Sequence, residues 1–313
     1  MPESLPDPST LFDAERMSRV RSTMPTDLST AELRDLGADV LARSVFTARG
    51  TNAIFLSKLK EVVDAMAAGT LGEGQARAAL YEVLDALGYD AEKGGFPGEE
   101  VPPALKGTLQ DLRSFRRMNL IVETQLSLMQ GAGLAWRGHT PDRMATFPAW
   151  ELVRVLPRAV PRDWPSRWML SGGRLTDDGR MLALKGDPVW GELGSYENFT
   201  DALGVDHPPF AFQSGMGWRE ISEADALALG VTGPDGETAE EFHAGRPAVM
   251  AGRIPLPTPR LSLDGVDAGL AARFQAETHA TPVPGRQHRV DYSDILAREI
   301  AGHDAAYQNG GAQ

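Results

Sequence analysis

The sequence predicts an α+β fold: an N-terminal helical domain, a long central helix packed on a Trp-rich unit of short strands, and a Pro-rich extended C-terminal tail. Three observations carry this. Apolar residues recur at three and four from about residue 30 to 132, all six tryptophans then fall between positions 136 and 218, and beyond 233 the periodicity fades among prolines. A buried tryptophan removes roughly 150–250 Å² from water, or roughly 4–6 kcal/mol gross at ~25 cal/mol per Å². The aromatic middle is therefore where the core is expected. Pro141, Pro148, Pro157, Pro161, Pro165 and Pro188 punctuate it too closely for a long helix, which predicts short strands there.

Residues 1–29 carry several prolines and read as an N-terminal arm, with one short helix around 12–20, that orders against a partner. From 30 to 103 the chain reads as a helical domain with its linker. Thr30 caps a helix carrying Leu33, Leu36, Val40, Leu41 and Val45. A second helix starts near Asn52 and puts Phe55, Leu59, Val62, Val63 and Met66 on one side. A third, over 74–87, turns Ala79, Leu80, Val83, Leu84 and Leu87 inward and ends on Gly88 in the C′ position. Glycines and prolines over 90–103 make the linker.

The core unit is assigned to 104–232. It opens with the longest helical pattern, 104–132, from Leu105 through Leu112, Met118, Ile121, Gln125 and Met129 to Ala132. A strand at 151–156 follows, then a hairpin of 174–176 with 181–184 closed by Asp177-Asp178-Gly179. Ser222 opens a helix that stops at Gly230. Residues 233–313 form the tail, with short helices at 266–277 and 292–300. Trp164, Trp168, Trp190, Trp218, Phe210 and Phe212 are the predicted structural core.

With no cysteine, the chain has no disulfide framework, zinc ribbon, Fe–S cluster or thiol nucleophile. A formal charge of −12 disfavours a general nucleic-acid coat, whose affinity comes from Lys and Arg at phosphates. The N-terminus has no basic stretch followed by an apolar run, so no secretory signal is expected, and no run approaches a membrane span. Walker, dinucleotide, HExxH and Gly-x-Ser-x-Gly patterns are absent from the sequence. His207 stands out among the six histidines because Asp206 precedes it and two prolines follow. No second ligand lies within the next eleven residues, so neither a metal nor a cofactor is expected.

Two segments resemble a known family. The first is Arg117-Met118-Asn119-Leu120-Ile121-Val122-Glu123-Thr124-Gln125 with its glycine-containing exit at 131–136. The second is the apolar run 182–190 with the turn His207-Pro208-Pro209-Phe210-Ala211-Phe212-Gln213-Ser214-Gly215-Met216. Together they are similar to the helix and closing element of the phage head morphogenesis proteins of the Mu F-like minor head family, over residues 104–225. Many members carry a mid-domain cysteine pair and a Cys-containing closing turn. Here Trp164 and Trp168 occupy the middle, Phe212 to Met216 occupy the turn, and the helix reads Glu123-Thr124 where the family has Thr-Glu.

The resemblance implies a structural minor head protein of a tailed phage or prophage. It would be a low-copy component docking to portal and/or major capsid protein, with packaged DNA as a further contact and no membrane partner. Its place would be the host cytoplasm during assembly and then the virion. The alternative reading is an enzyme or effector whose site gathers His207, Glu123 and Arg117 of the arginine-bearing helix.

Overall fold

Asn52 shows how the local signals become structure. Its side chain accepts from the Phe55 N–H at 2.9 Å and opens a helix over Ala53–Ala67. The computed structural model describes residues 17–19, 21–26, 28–33, 41, 44–93, 95–97, 106–158, 161–244, 260–261 and 281–282. They divide into two units, and the division passes through the longest helix after Gln125.

The first unit holds β1 (Ser22–Thr23), α1 (Thr30–Leu33), β2 (Ser44–Val45), α2 (Ala53–Ala67), α3 (Glu73–Ala86) and the first half of α4 (Phe115–Gly138). Ser29, one residue earlier than expected, caps α1 through a reciprocal pair with Glu32. Val45 was expected on a helix, yet Ser44–Val45 pair in parallel with Ser22–Thr23. The buried Arg21 guanidinium explains this: it donates to the Ser44 carbonyl at 2.8 Å, an acceptor that a helix interior would have used itself. Leu36 and Val40 lie outside the described residues. In α2, Phe55, Leu56, Leu59, Val62 and Val63 are buried, and Met66 is half-buried. The α3 stripe is rotated from the expected one: Ala76, Leu80 and Leu84 are inward, while Ala79 and Val83 are half-exposed. Gly88 takes φ +68°, where the Gly88 and Tyr89 amides cap the Asp85 and Leu84 carbonyls.

The long helix begins at Phe115 rather than 104, because Asp111 and Ser114 bind backbone amides locally. Asp111 accepts from the Gly107 and Arg113 amides, and Ser114 Oγ accepts from the Arg117 amide at 3.2 Å, as an N-cap does. It ends six residues beyond the predicted Ala132.

The second unit continues from α4 into α5 (Pro141–Thr146), β3 (Ala149–Arg154), α6 (Trp164–Leu170), β4 (Leu182–Leu184), α7 (Pro188–Gly194), β5 (Met216–Ile221), α8 (Glu223–Ala228) and α9 (Ala239–Ala244). The coarse prediction of α+β with a long helix and a buried Trp/Phe cluster holds. The aromatic unit nevertheless contains more helix than its prolines suggested. Pro141, Pro165 and Pro188 stand in the first turns of α5, α6 and α7, where a missing N–H costs no hydrogen bond. Asp163 and Asp187 cap α6 and α7. The prolines taken for helix breakers therefore start helices. α9 was likewise missed; Thr238 and Glu241 cap it reciprocally.

The sheet has the order β4-β3-β5, antiparallel throughout, with Trp150 opposite Ala183 on one side and Glu220 on the other. Alternation along β3 separates two cores. Trp150 and Leu152 join Trp164, Trp168, Trp190 and Phe210 on one face; Ala149 joins Leu184, Ile221, Ala226 and Phe242 on the other, under α8 and α9. Short parallel pieces β6 (Arg260–Leu261) and β7 (Thr281–Pro282) are also described, while the helices expected at 266–277 and 292–300 lie outside the described residues.

Gly131 is the contact point between α4 and the closing turn. A Cβ there would stand 1.8 Å from the Pro208 carbonyl oxygen and 2.7 Å from His207 Nδ1. Gly131→Ala should therefore destabilise by about 1–3 kcal/mol through overpacking, although alanine is the better helix former. Urea unfolding measures it, and an unchanged or raised midpoint would show that helix and turn do not touch.

Candidate functional site

Trp190 is the centre of the aromatic cluster. Its ring meets Trp150 at 6.1 Å, Trp168 at 5.2 Å and Trp218 at 5.3 Å edge-on, and stacks on Phe210 at 6.2 Å. Trp150 and Trp218 stack at 3.7 Å with planes 11° apart. The indole N–H groups of Trp168 and Trp190 donate to the Arg174 and Leu184 carbonyls, which ties the rings to the hairpin and to β4. Of the six predicted core residues, Trp164, Trp168, Trp190 and Phe210 are buried, and Trp218 packs half-buried against them. Phe212 is half-buried and lies outside this cluster; its carbonyl accepts from Arg162 at 2.8 Å.

Three carboxylates that sequence reasoning did not single out gather the charges of this unit. Glu220 accepts from Arg143, from Lys185 Nζ at 2.8 Å, and lies 3.6 Å from Arg137. Lys185, on the chain just past β4, is fully buried; it also donates to the Gly138 carbonyl at the end of α4 at 3.0 Å and stands over the Trp150 ring. Burial pushes the Lys185 amine down to about 8, against the opposing pull of Glu220. Glu151 accepts from Arg180 and Arg219, and Arg180 is the first cause of its lowered pKa. Asp201 binds Arg162 and Arg167, and the Arg167 guanidinium lies 3.8 Å over the Phe199 ring. For Asp201 and Glu220 desolvation opposes ionisation, yet the arginine and lysine partners hold both pKa values below the ordinary range.

The residues of the catalytic alternative have separate engagements. Arg117 belongs to the first unit and donates to Thr47 Oγ1 at 2.6 Å and to the Ala48 carbonyl at 3.0 Å. Glu123 is half-buried in the same unit. His207 belongs to the second unit, where its buried ring donates from Nδ1 to the Pro208 carbonyl at 2.7 Å. The Arg117 and His207 contacts are those of side chains that hold a backbone in place. Among the described residues no group of three or more His, Asp or Glu is arranged to hold a metal ion, and no helix is long and apolar enough to cross a membrane.

A cavity of about 550 Å³ lies between the 172–178 arm of the hairpin and the 228–234 loop, lined by Asp177, Asp178 and Asp187 beside Val189, Leu229 and Val231. Asp178 accepts from Thr176 and Asp187 caps α7, so these two act as turn and cap residues.

No family model, curated protein or solved structure matches the chain.

The three carboxylates predict the acid limb of stability. Each has a folded pKa below its unfolded one, so its contribution is fully present above the unfolded value and is lost as pH falls through the folded value. Thermal melts should begin to fall as pH drops below the ordinary His value of 6.5, because the buried His139 ring resists protonation, and should drop further as pH falls below the ordinary Glu value of 4.5. Glu220→Gln should cost about 3–5 kcal/mol at pH 7 by stranding a buried ammonium and should flatten that drop. A variant melting like the parent at pH 7 would remove Glu220 from the role assigned to it.

Proposed function

We propose that this chain is a structural component of head assembly in a tailed phage or prophage, related to the Mu F-like minor head proteins. In this reading it docks to portal and/or major capsid protein, in few copies, with packaged DNA as a further contact.

One observation carries the reading. The two segments that bear the resemblance, the glycine-containing exit of α4 and the His207-Pro208-Pro209-Phe210 turn, are in contact at Gly131 and Pro208. About seventy residues separate the two in the chain, and their contact supports reading them as parts of one unit. The place of the family's cysteine clamp is filled by indoles: Trp164 and Trp168 are buried, and Phe210 closes the cluster. Packing can supply that closure, since each buried ring contributes several kcal/mol gross. The charged groups of the unit are spent on one another through Glu151, Asp201 and Glu220. That arrangement suits a rigid docking body.

Co-expression with the portal and major capsid genes of the same genome tests the proposal. The chain should purify with assembled heads or with portal, well below the copy number of the capsid protein. Complete heads and free portal that both lack it would overturn the reading.

A further inference from the structure

The cavity between the 172–178 arm and the 228–234 loop lies beside β4, an edge strand of the sheet. Leu182 belongs to one core and Ala183 to the other, and both line it. Each core also supplies apolar wall: Trp168 and Val189 from the aromatic face, Leu229 and Val231 from the face under α8 and α9. With β4 only three residues long, the two cores meet here without filling the space between them. The volume of about 550 Å³ lies within the roughly 300–1,000 Å³ of ordinary small-molecule sites. Gly172 and Gly230 are exposed parts of the lining, and a Cβ added at either would meet nothing within 4 Å, so the entrance is clear.

The charge of the lining is one-sided. Asp177, Asp178 and Asp187 stand against one cation, Arg174. Their turn and cap hydrogen bonds leave that charge in place: Asp178 accepts from Thr176 Oγ1, and Asp187 accepts from the Val189 N–H at 2.8 Å. The Asp177 carboxylate has no hydrogen bond or ion pair among the described residues. Asp177 and Asp178 are exposed, while Trp168, Leu182 and Val189 are buried. The negative end is therefore at the mouth and the apolar end at the floor. Low-dielectric walls focus the field of acids placed in this way.

We propose that the cavity binds a small amphipathic cation: a protonated amine or guanidinium held at Asp177 and Asp178, with its apolar body against Val189, Leu229 and Val231. A cation on an apolar stem fits without giving up its hydration, because the stem is buried and the head group stays in water. An anion of the same shape meets two surplus negative charges. A bare metal ion makes no use of the apolar floor, and among the described residues no trio of His, Asp or Glu is arranged to hold one. The same chemistry arrives either as a free alkylamine or as a lysine or arginine side chain beside an apolar residue of a partner.

Purified chain provides the test, so a failure here leaves the head-assembly reading standing. Calorimetry at low salt should show octylammonium binding one to one and octanoate binding about tenfold more weakly, since surplus charges a few ångströms away act even in water. Raising the salt to about 1 M should narrow that difference. During the titration the amide resonances of Gly172, Gly173, Gly230 and Gly233 should shift. Asp177→Asn with Asp178→Asn keeps turn-forming residues before Gly179 and should weaken octylammonium about fivefold or more. Asp142→Asn, which removes an exposed acid of α5 outside the lining, should leave it unchanged. A capped leucyl-lysyl-leucine tripeptide identifies the source: binding as tight as that of octylammonium assigns the site to a partner's side chain, and weaker binding assigns it to a free amine. The proposal is overturned if octylammonium does not bind, if octanoate matches it, if the shifted amides lie elsewhere, or if the Asn pair binds octylammonium as the parent does.

Discussion

The face-to-face stack of Trp150 on Trp218, with Trp190 standing edge-on to both, is the interaction on which the second unit depends. The two stacked rings come from neighbouring strands, β3 and β5, and Trp190 comes from α7, so one contact fixes sheet register and helix position together. A one-residue slip of β5 would turn Trp218 to the opposite face and bring Arg219 into the aromatic cluster. Phe210 and Trp168 close the cluster from the loop and from α6. Offset and edge-on geometries let the negative ring faces meet positive ring edges, which makes the packing directional.

Charge burial follows from that packing. Once Trp150 lies flat under the end of α4, the Gly138 carbonyl and the Glu220 carboxylate sit where only a cation can satisfy both, and Lys185 does so at 3.0 and 2.8 Å. The ammonium pays for its desolvation with a lowered pKa, and Arg143 together with Lys185 itself keeps Glu220 ionised beside it. Glu151 answers the same constraint on the other face of the sheet, where β3 would otherwise bury a bare carboxylate. These pairs hold helix ends and strands at fixed places. Their hydrogen-bonding capacity is largely used inside the unit.

The first unit solves a different problem with one residue. Arg21 is buried, and its two terminal nitrogens donate to the Ser44 carbonyl and to the side chain and carbonyl of Gln125. Burial pushes the Arg21 pKa down to about 10. A guanidinium has enough donors in a fixed fork to bind three acceptors at once, and here it joins β1, β2 and α4.

The sequence by itself determined the places of α2 and α3, the position of the aromatic core, and the hairpin turn. Asn52, Gly88 and Ser222 act on neighbours within a few residues, so their meaning is local and readable. Proline was misread because its effect depends on the position it takes in a helix, and Asp163 or Asp187 before it decides that position. Only the tertiary structure decided which charges meet. Glu151, Asp201 and Glu220 look like ordinary surface acids in the sequence, and their partners lie 29 to 83 residues away. The same holds for Gly131, whose missing side chain is explained by a carbonyl that arrives from Pro208. Local signals set backbone conformation because they act through neighbouring hydrogen bonds. Ion pairs and close packing depend on distance in space, which the order of residues does not encode until the chain has folded.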